Sequence, residues 1–161
     1  MNDIEEVLSY VKDLRSRNPS IKIVATNGCF DIIHQGHISM LKSAQRLGDV
    51  LIVGLNSDLS VKSLKGESRP VNRQGDRKAV LQELRCVDYV AVFEENTSHK
   101  FLEAVKPNVY VKAGDYSLES LNSLEKEVLV NCGTEIKFTH FISGLSTTNI
   151  LKKINEQTIN K

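Results

Sequence analysis

An α/β domain with a doubly wound parallel sheet is what the 161-residue sequence predicts, on three observations. Five short, β-branched apolar segments recur along the chain, and helical periodicity fills the stretches between them. The polar and glycine-rich clusters concentrate directly after four of those segments. Strands that run apolar without alternation are covered on both faces, as in sheets sandwiched by helices. Right-handed crossovers then restrict the topology, most simply to the order 3-2-1-4-5, a three-layer Rossmann-like fold.

Each element has its own signal. Ile4, Val7, Leu8, Val11 and Leu14 form an i, i+3, i+4, i+7 stripe, so residues 1–18 hold an amphipathic helix closed by Asn18-Pro19. IKIVAT (21–26), bounded by Asn27-Gly28, reads as the first buried strand. Ile38, Leu41, Ala44 and Leu47 set a helix from His37 to Leu47 that stops at Gly48. DVLIVGL (49–55) is the second strand, residues 58–64 a short helical turn, and Lys65–Asn72 a polar loop. A helix from about Arg73 to Arg85 leads into the strand DYVAVF (88–93). Ser98–Val105 is helical and ends at Pro107, and NVYVKAG (108–114) is the fourth strand. Leu118–Val130 is helical and stops near Gly133, EIKFTHF (135–141) is the fifth strand, and Ser146–Asn155 the last helix. Without repeat, linker or low-complexity segment, the expectation is a single domain over 1–161 with its core at 21–153.

Composition narrows the function classes. Hydrophobic residues are 40% and charged residues 25% of the chain, as in ordinary soluble domains. A net charge of +1 gives no overall attraction to nucleic acid or to a membrane surface. No apolar run approaches the roughly 20 residues of a membrane helix. The N-terminus has early acids and no apolar stretch, unlike a signal peptide. A cytoplasmic protein without nucleic-acid or membrane partners is expected. Cys29, Cys86 and Cys132 are widely spaced and form no CxxC pair, so neither a zinc site nor a disulfide framework is indicated.

In such sheets the ligand lies outside the carboxyl ends of the strands, which selects the loops after residues 26, 55, 93, 113 and 141. The first of these lacks GxGxxG and GxxxxGK[ST], so it is neither an ordinary dinucleotide fingerprint nor a P-loop. It carries His34 and His37 about a helix N-terminus, with Gly36 between them to let a backbone approach a phosphate closely. Imidazoles there can donate to phosphoryl oxygens as charge builds up in a transition state. Asp31, His34 and His37 could equally converge on a metal, and locally the two readings stand level. Ser146-Thr147-Thr148 after Gly144 opens a second helix at the same edge. Two anion seats suit an extended polyphosphate better than a lone metal.

GCFDIIHQGH resembles the GxFDxxHxGH signature of the cytidylyltransferase-like nucleotidyltransferases, and GLSTT their second signature. His34, where pantetheine-phosphate adenylyltransferases usually have Thr, argues against that branch. TNGCFDIIHQGH, VGLNSD, LKGESRPVN, VKAGDY and STTNILKK together resemble the adenylyltransferases that make ADP-heptose from D-glycero-β-D-manno-heptose 1-phosphate. The likeness runs from about Ile21 to Lys153.

The resemblance implies the following roles. His34, His37, Lys65 and Thr147 would act on the reacting phosphates, with Lys65 in the loop after the second strand. Thr26, Asn27, Gly28 and Phe30 would line the nucleotide, chiefly through backbone, beside Asp31 and Gly36. Ser146, Thr147 and Thr148 would hold the phosphates that leave as pyrophosphate, and Arg69 the sugar phosphate. Asn56, Asp58, Lys112, Gly114 and Asp115 would shape the nucleotide and sugar pockets. Each has a plainer alternative: Lys65 and Arg69 as solvated charges, Asp58 as a helix cap, Arg77 as a helix-face ion pair rather than a site residue. His99 and His140 match no motif and are expected to be structural or exposed. Ala113, where Gly is common, and Gly75-Asp76 are the small departures from the pattern.

The implied substrates are ATP and heptose 1-phosphate, for lipopolysaccharide core or another heptose-containing surface glycan. Mg²⁺ would enter on the ATP phosphates, with Asp31 as its one candidate protein ligand. A homodimer is compatible with the resemblance. A chain of this length suggests a stand-alone enzyme served by a separate heptose kinase and phosphatase. A glycerol-3-phosphate cytidylyltransferase and a non-catalytic nucleotide sensor are the alternatives.

Overall fold

A computed structural model describes residues 2–114, 117–139 and 144–159. The elements run α1 (Asp3–Arg17), β1 (Ile23–Gly28), α2 (Gln35–Gln45), β2 (Val50–Asn56), α3 (Asp58–Lys65), α4 (Gln74–Gln82), β3 (Tyr89–Phe93), α5 (His99–Val105), β4 (Val109–Ala113), α6 (Ser123–Asn131), β5 (Glu135–Thr139) and α7 (Thr147–Ile159). The sheet is all parallel in the order β3-β2-β1-β4-β5, as the sequence predicts.

Strand alternation divides the core in two. Ile23, Ala25, Ile52, Ala91 and Tyr110 pack with Val7 and Val11 of α1, Phe101 and Leu102 of α5, and Leu129 of α6. Val24, Leu51, Val53, Val90, Val109 and Val111 face Met40, Leu41 and Ala44 of α2 and Leu81 of α4. The two-residue period therefore sends Thr26 toward α2, with its Oγ1 3.8 Å from Met40 Sδ, and Asn27 toward the opposite face. A Cβ at Gly54 would lie 2.8 Å from the Phe101 ring, so the absent side chain is what lets α5 close on β2.

Local caps explain where the helices depart from the sequence expectation. His34 has extended backbone and serves as N-cap, so α2 begins at Gln35 rather than His37. Asn122 accepts from the Leu124 N–H, so α6 begins at Ser123, after a turn through Ser117–Ser120, rather than at Leu118. Ser57 caps α3 through the Ser60 N–H, and that helix runs to Gly66. Lys65 thus belongs to the last turn of α3, not to a loop. Among the described residues no helix is long and apolar enough to cross a membrane.

Candidate active site

The sheet's central strand delivers the site. β1 ends at Gly28, and Phe30 takes a left-handed φ of 45° that turns the chain toward α2. Its ring is buried and lies 5.2 Å from the His37 ring. His34 and His37, N-cap and third residue of α2, stack with ring centroids 3.9 Å apart. The His34 backbone N–H donates to His37 Nδ1 at 3.4 Å, which leaves the proton of a neutral His37 on Nε2. Burial lowers the pKa of His37 to about 4, with the neighbouring His34 adding to the effect. Burial also lowers His34. Both rings are therefore neutral at pH 7.

His34 Nδ1 is buried and has no hydrogen-bond partner among the described residues. A Cβ on Gly36 would stand 3.0 Å from that same atom and 3.7 Å from Leu145 Cβ. Gly36 thus keeps open a gap between the His34 ring and the segment leading into α7. Thr147, at the start of α7, donates from Oγ1 to the Ile32 carbonyl at 3.1 Å and ties the two helix N-termini together. Ser146 Oγ accepts from the Asn149 N–H at 3.0 Å, an N-cap contact, and Thr148 is exposed.

On the β2 side the polar groups are locked to one another. Asp31, 2% exposed, accepts from Arg69 Nε and from the Val71 and Asn72 N–H groups. Burial alone would raise its pKa, but those backbone donors and the Arg69 guanidinium hold it below the usual carboxylate value. Arg77, also 2% exposed, reaches from α4 to three carbonyls: Asn72 at 3.0 Å, Cys29 at 2.6 Å and Asn56 at 2.9 Å. Its second terminal nitrogen meets Asp58 Oδ1 at 2.8 Å. In the sequence Arg77 reads equally as a site residue or a helix-face ion pair. The structure makes it a buried clamp on the loops that leave β1 and β2. The signal was a charged residue four before Leu81, on the buried stripe of α4.

Lys65 is exposed and makes no hydrogen bond or ion pair among the described residues. Its charge still lowers the Cys29 pKa, against the burial that raises that thiol overall. Cys29 is thus a thiol at neutral pH, ill-suited to nucleophilic attack. Asn56 Nδ2 donates to Ser60 Oγ at 2.9 Å.

Asn27 Oδ1 accepts from Tyr110 OH and from Lys112 Nζ, the latter at 3.2 Å. Lys112 also faces Glu125 Oε2 at 3.4 Å, and Glu125 Oε1 accepts from the Ser98 N–H at 2.9 Å. Tyr110 and Glu125 had no motif to mark them. The Gly114 N–H donates to the Thr139 carbonyl at 2.9 Å, with a φ of 123° that favours glycine. Asp115 and His140 lie outside the described residues. His99 Nδ1 lies 2.6 Å from Thr97 Oγ1, in the segment before α5.

The cytidylyltransferase-like family model matches residues 25–153, and the chain belongs to that family. It is accordingly a nucleotidyltransferase. More particularly, it is 50% identical over 135 residues to the bifunctional protein HldE of Aliarcobacter butzleri, covering 84% of this chain and 27% of that one. It is 46% identical over 155 residues to the bifunctional protein HldE of Nitratiruptor sp., covering 96% of this chain and 32% of that one. The chain therefore spans about a third or less of the length of these relatives. A lipopolysaccharide core biosynthesis protein from Thermoplasma volcanium superposes with a TM-score of 0.62 at 28% identity, over 76% of this chain and 98% of that one. A pantoate-beta-alanine ligase from Francisella tularensis shares the fold at the same TM-score of 0.62 and 19% identity, over 97% of this chain and 77% of that one.

Proposed function

We propose that the chain transfers AMP from ATP to D-glycero-β-D-manno-heptose 1-phosphate, forming ADP-heptose and pyrophosphate. The observation that carries the reaction type is the His34–His37 stack at the N-terminus of α2, joined through Thr147 to the N-terminus of α7. The choice of sugar is supported by the motif segments around VGLNSD and SRPVN, by the HldE relatives, and by the lipopolysaccharide core biosynthesis neighbour.

A phosphate monoester with a second pKa of about 6 is already ionised at neutral pH, so the acceptor needs no general base. Its oxygen attacks the α-phosphorus of ATP in line, and the electron pair of the α–β bridging bond leaves with pyrophosphate. The free N–H groups of the two helix starts hold phosphoryl oxygens. His37 presents Nε2–H as a donor, and His34 supplies a second imidazole where charge develops. Ser146, Thr147 and Thr148 border the leaving pyrophosphate, and Lys65 is a cation free to swing toward it. Catalysis on this plan is positioning plus electrostatic stabilisation.

Mg²⁺ would enter with the ATP phosphates as part of that substrate and would neutralise their charge. The described residues build no resident seat for it. None of their His, Cys, Asp and Glu residues group in threes around a common point, and Asp31 has committed its carboxylate to Arg69 and loop amides. ATP and a sugar 1-phosphate as substrates suit a cytoplasmic enzyme acting after a kinase and a phosphatase.

The test is pyrophosphate release from ATP and from CTP, each with heptose 1-phosphate and with glycerol 3-phosphate. Turnover is expected for ATP with heptose 1-phosphate. Turnover only for CTP with glycerol 3-phosphate overturns the choice of substrates, and tight ATP binding with no turnover for any pair overturns the enzyme.

A further inference from the structure

We propose that the Asn27 side chain is a hydrogen-bond donor that reads an uncharged acceptor atom of a substrate, held in that orientation by Tyr110, Lys112 and Glu125. The inference rests on the nucleotidyl-transfer reading and assigns a side-chain role to a residue whose expected contribution was its backbone.

The chemistry of the donors fixes the direction of the network. An ammonium group has protons and no lone pair, so Lys112 Nζ can only donate. It gives one proton to Asn27 Oδ1 at 3.2 Å and one to the Tyr110 hydroxyl at 3.1 Å. The phenol oxygen, having accepted, turns its own proton to Asn27 Oδ1. Two donors thus converge on one carbonyl oxygen, and the amide cannot flip without setting its NH₂ group against an ammonium. Glu125 anchors the far end. It is 4% exposed, faces Lys112 through Oε2, and accepts on Oε1 from both the N–H and the hydroxyl of Ser98 at the head of α5. A buried ion pair of this kind is weak evidence for stability but well suited to fixing an orientation.

The opposite end of the amide is open. Among the described residues the buried side-chain polar atoms without a partner are His34 Nδ1 and Thr139 Oγ1. Among the described residues Asn27 Nδ2 has no hydrogen-bond partner, and Asn27 is half-buried at the carboxyl edge of β1. That edge is the ligand position of a doubly wound sheet. Asn27 points to the α5 and α6 face, whereas Thr26, one residue earlier, points to α2 and the histidines. The reacting phosphates belong to the α2 side, so the amide meets a part of a substrate away from them. A sugar hydroxyl oxygen and an acceptor on the nucleoside share the required chemistry.

Two measurements decide it, made with whichever pair of substrates turns over in the four-way assay. Asn27→Asp keeps an acceptor for Tyr110 and Lys112, replaces the NH₂ donor with a carboxylate oxygen and adds a negative charge, so Asn27→Ala, which removes the donor without adding charge, is measured beside it. Loss of one substrate hydrogen bond should raise the KM of one substrate about tenfold, with a smaller change in kcat. Tyr110→Phe, which leaves Lys112 to hold Oδ1 without the phenol and so loosens the amide, should raise the same KM by less. The second measurement needs no turnover. The ¹⁵N-resolved side-chain amide pair of Asn27, assigned by its loss in Asn27→Asp, should shift in Tyr110→Phe and on saturation with either the nucleotide alone or the sugar phosphate alone. The ligand that moves it identifies the source of the acceptor. An amide pair unmoved by both ligands, or an Asn27→Asp variant with both KM values within about twofold of wild type, overturns the proposal. Absence of pyrophosphate release by the wild-type chain instead overturns the functional reading, and the amide titration with ATP and with CTP still decides this one.

Discussion

On the β2 side of the β1 edge, Arg77, Asp31, Arg69 and Asp58 satisfy one another and the surrounding carbonyls and amides. On the α2 side, His34 Nδ1 is buried with no partner among the described residues, and both imidazoles are held neutral in a helix-terminus environment suited to anions. The two shoulders flank one sheet edge, and Asp31 of the first stands three residues before His34 of the second. Their difference is in what completes them. A polar group saturated by protein sets shape, and its removal is felt in stability. A buried polar group left unsaturated costs about 1–3 kcal/mol in the free protein. A ligand that partners it offsets that cost, so its removal is felt in turnover.

The largest expected effect is on the saturated shoulder. Arg77→Met retains bulk but strands three carbonyls, while the part-exposed Asp58 carboxylate keeps water, and should lower unfolding free energy by about 3 kcal/mol. Urea denaturation measures it. Arg77→Lys should recover little, since a single ammonium cannot span four acceptors held by a planar fork. A loss below about 1 kcal/mol would mean that the clamp is a surface pair in solution.

The unsaturated shoulder should show the reverse pattern. His34→Ala and His37→Ala are each expected to lower kcat by at least about 10², the scale of one transition-state donor. Thermal midpoints should hold or rise, because a desolvated imidazole is removed. Two folded variants with near-normal turnover would remove the histidines from the mechanism.

The same contrast governs what the sequence disclosed. The sheet order, the five strand segments to within about two residues over the described residues, and the paired histidines were legible, because periodicity and Gly are local and the phosphate chemistry is written in consecutive residues. Lys65 reads as a loop residue among its polar neighbours, although Ser57 and Gly66 bracket the helix that holds it. The Arg77 clamp and the Asp31–Arg69 latch were not legible. Apart from Asn72 beside Arg77, their partners lie 19 to 48 residues away in the chain, and a lone sequence gives no distance between loops that meet only after the sheet forms. Glu125, on α6, was hidden for the same reason: Lys112 sits 13 residues earlier, in another element.

A smaller effect tests whether the gap beside His34 matters. Gly36 sits in the first turn of α2, and alanine there is favoured over glycine by up to about 1 kcal/mol in a helix. Its Cβ would nevertheless press to 3.0 Å on His34 Nδ1 and Cε1, the atoms bordering the unpartnered seat. Gly36→Ala should therefore unfold no more easily than wild type while losing about tenfold in kcat/KM, equivalent to about 1.4 kcal/mol of transition-state binding. Equal activity would mean that the phosphate lies elsewhere than against the His34 ring.

The smallest effect is a slope rather than a loss. The ordinary histidine value of 6.5 is lowered to about 4 for His37 in the fold, so between these values the unfolded chain binds more protons than the native one. Stability must then rise with pH across that window, and it falls as pH drops from about 6.5 toward about 4. His34 is shifted in the same direction and adds to the slope. Asp31 also loses its contribution on acidification, but its native value lies below the ordinary 3.8, so its loss falls at lower pH. The two shoulders thus separate on one titration axis. Urea midpoints measured from pH 7 to pH 4 should decline in wild type and decline less in His37→Asn. Asp31→Asn should leave the upper part of the slope in place. Identical slopes in wild type and His37→Asn would show that the ring is hydrated in solution, and with that the unsaturated character of the α2 shoulder would be lost.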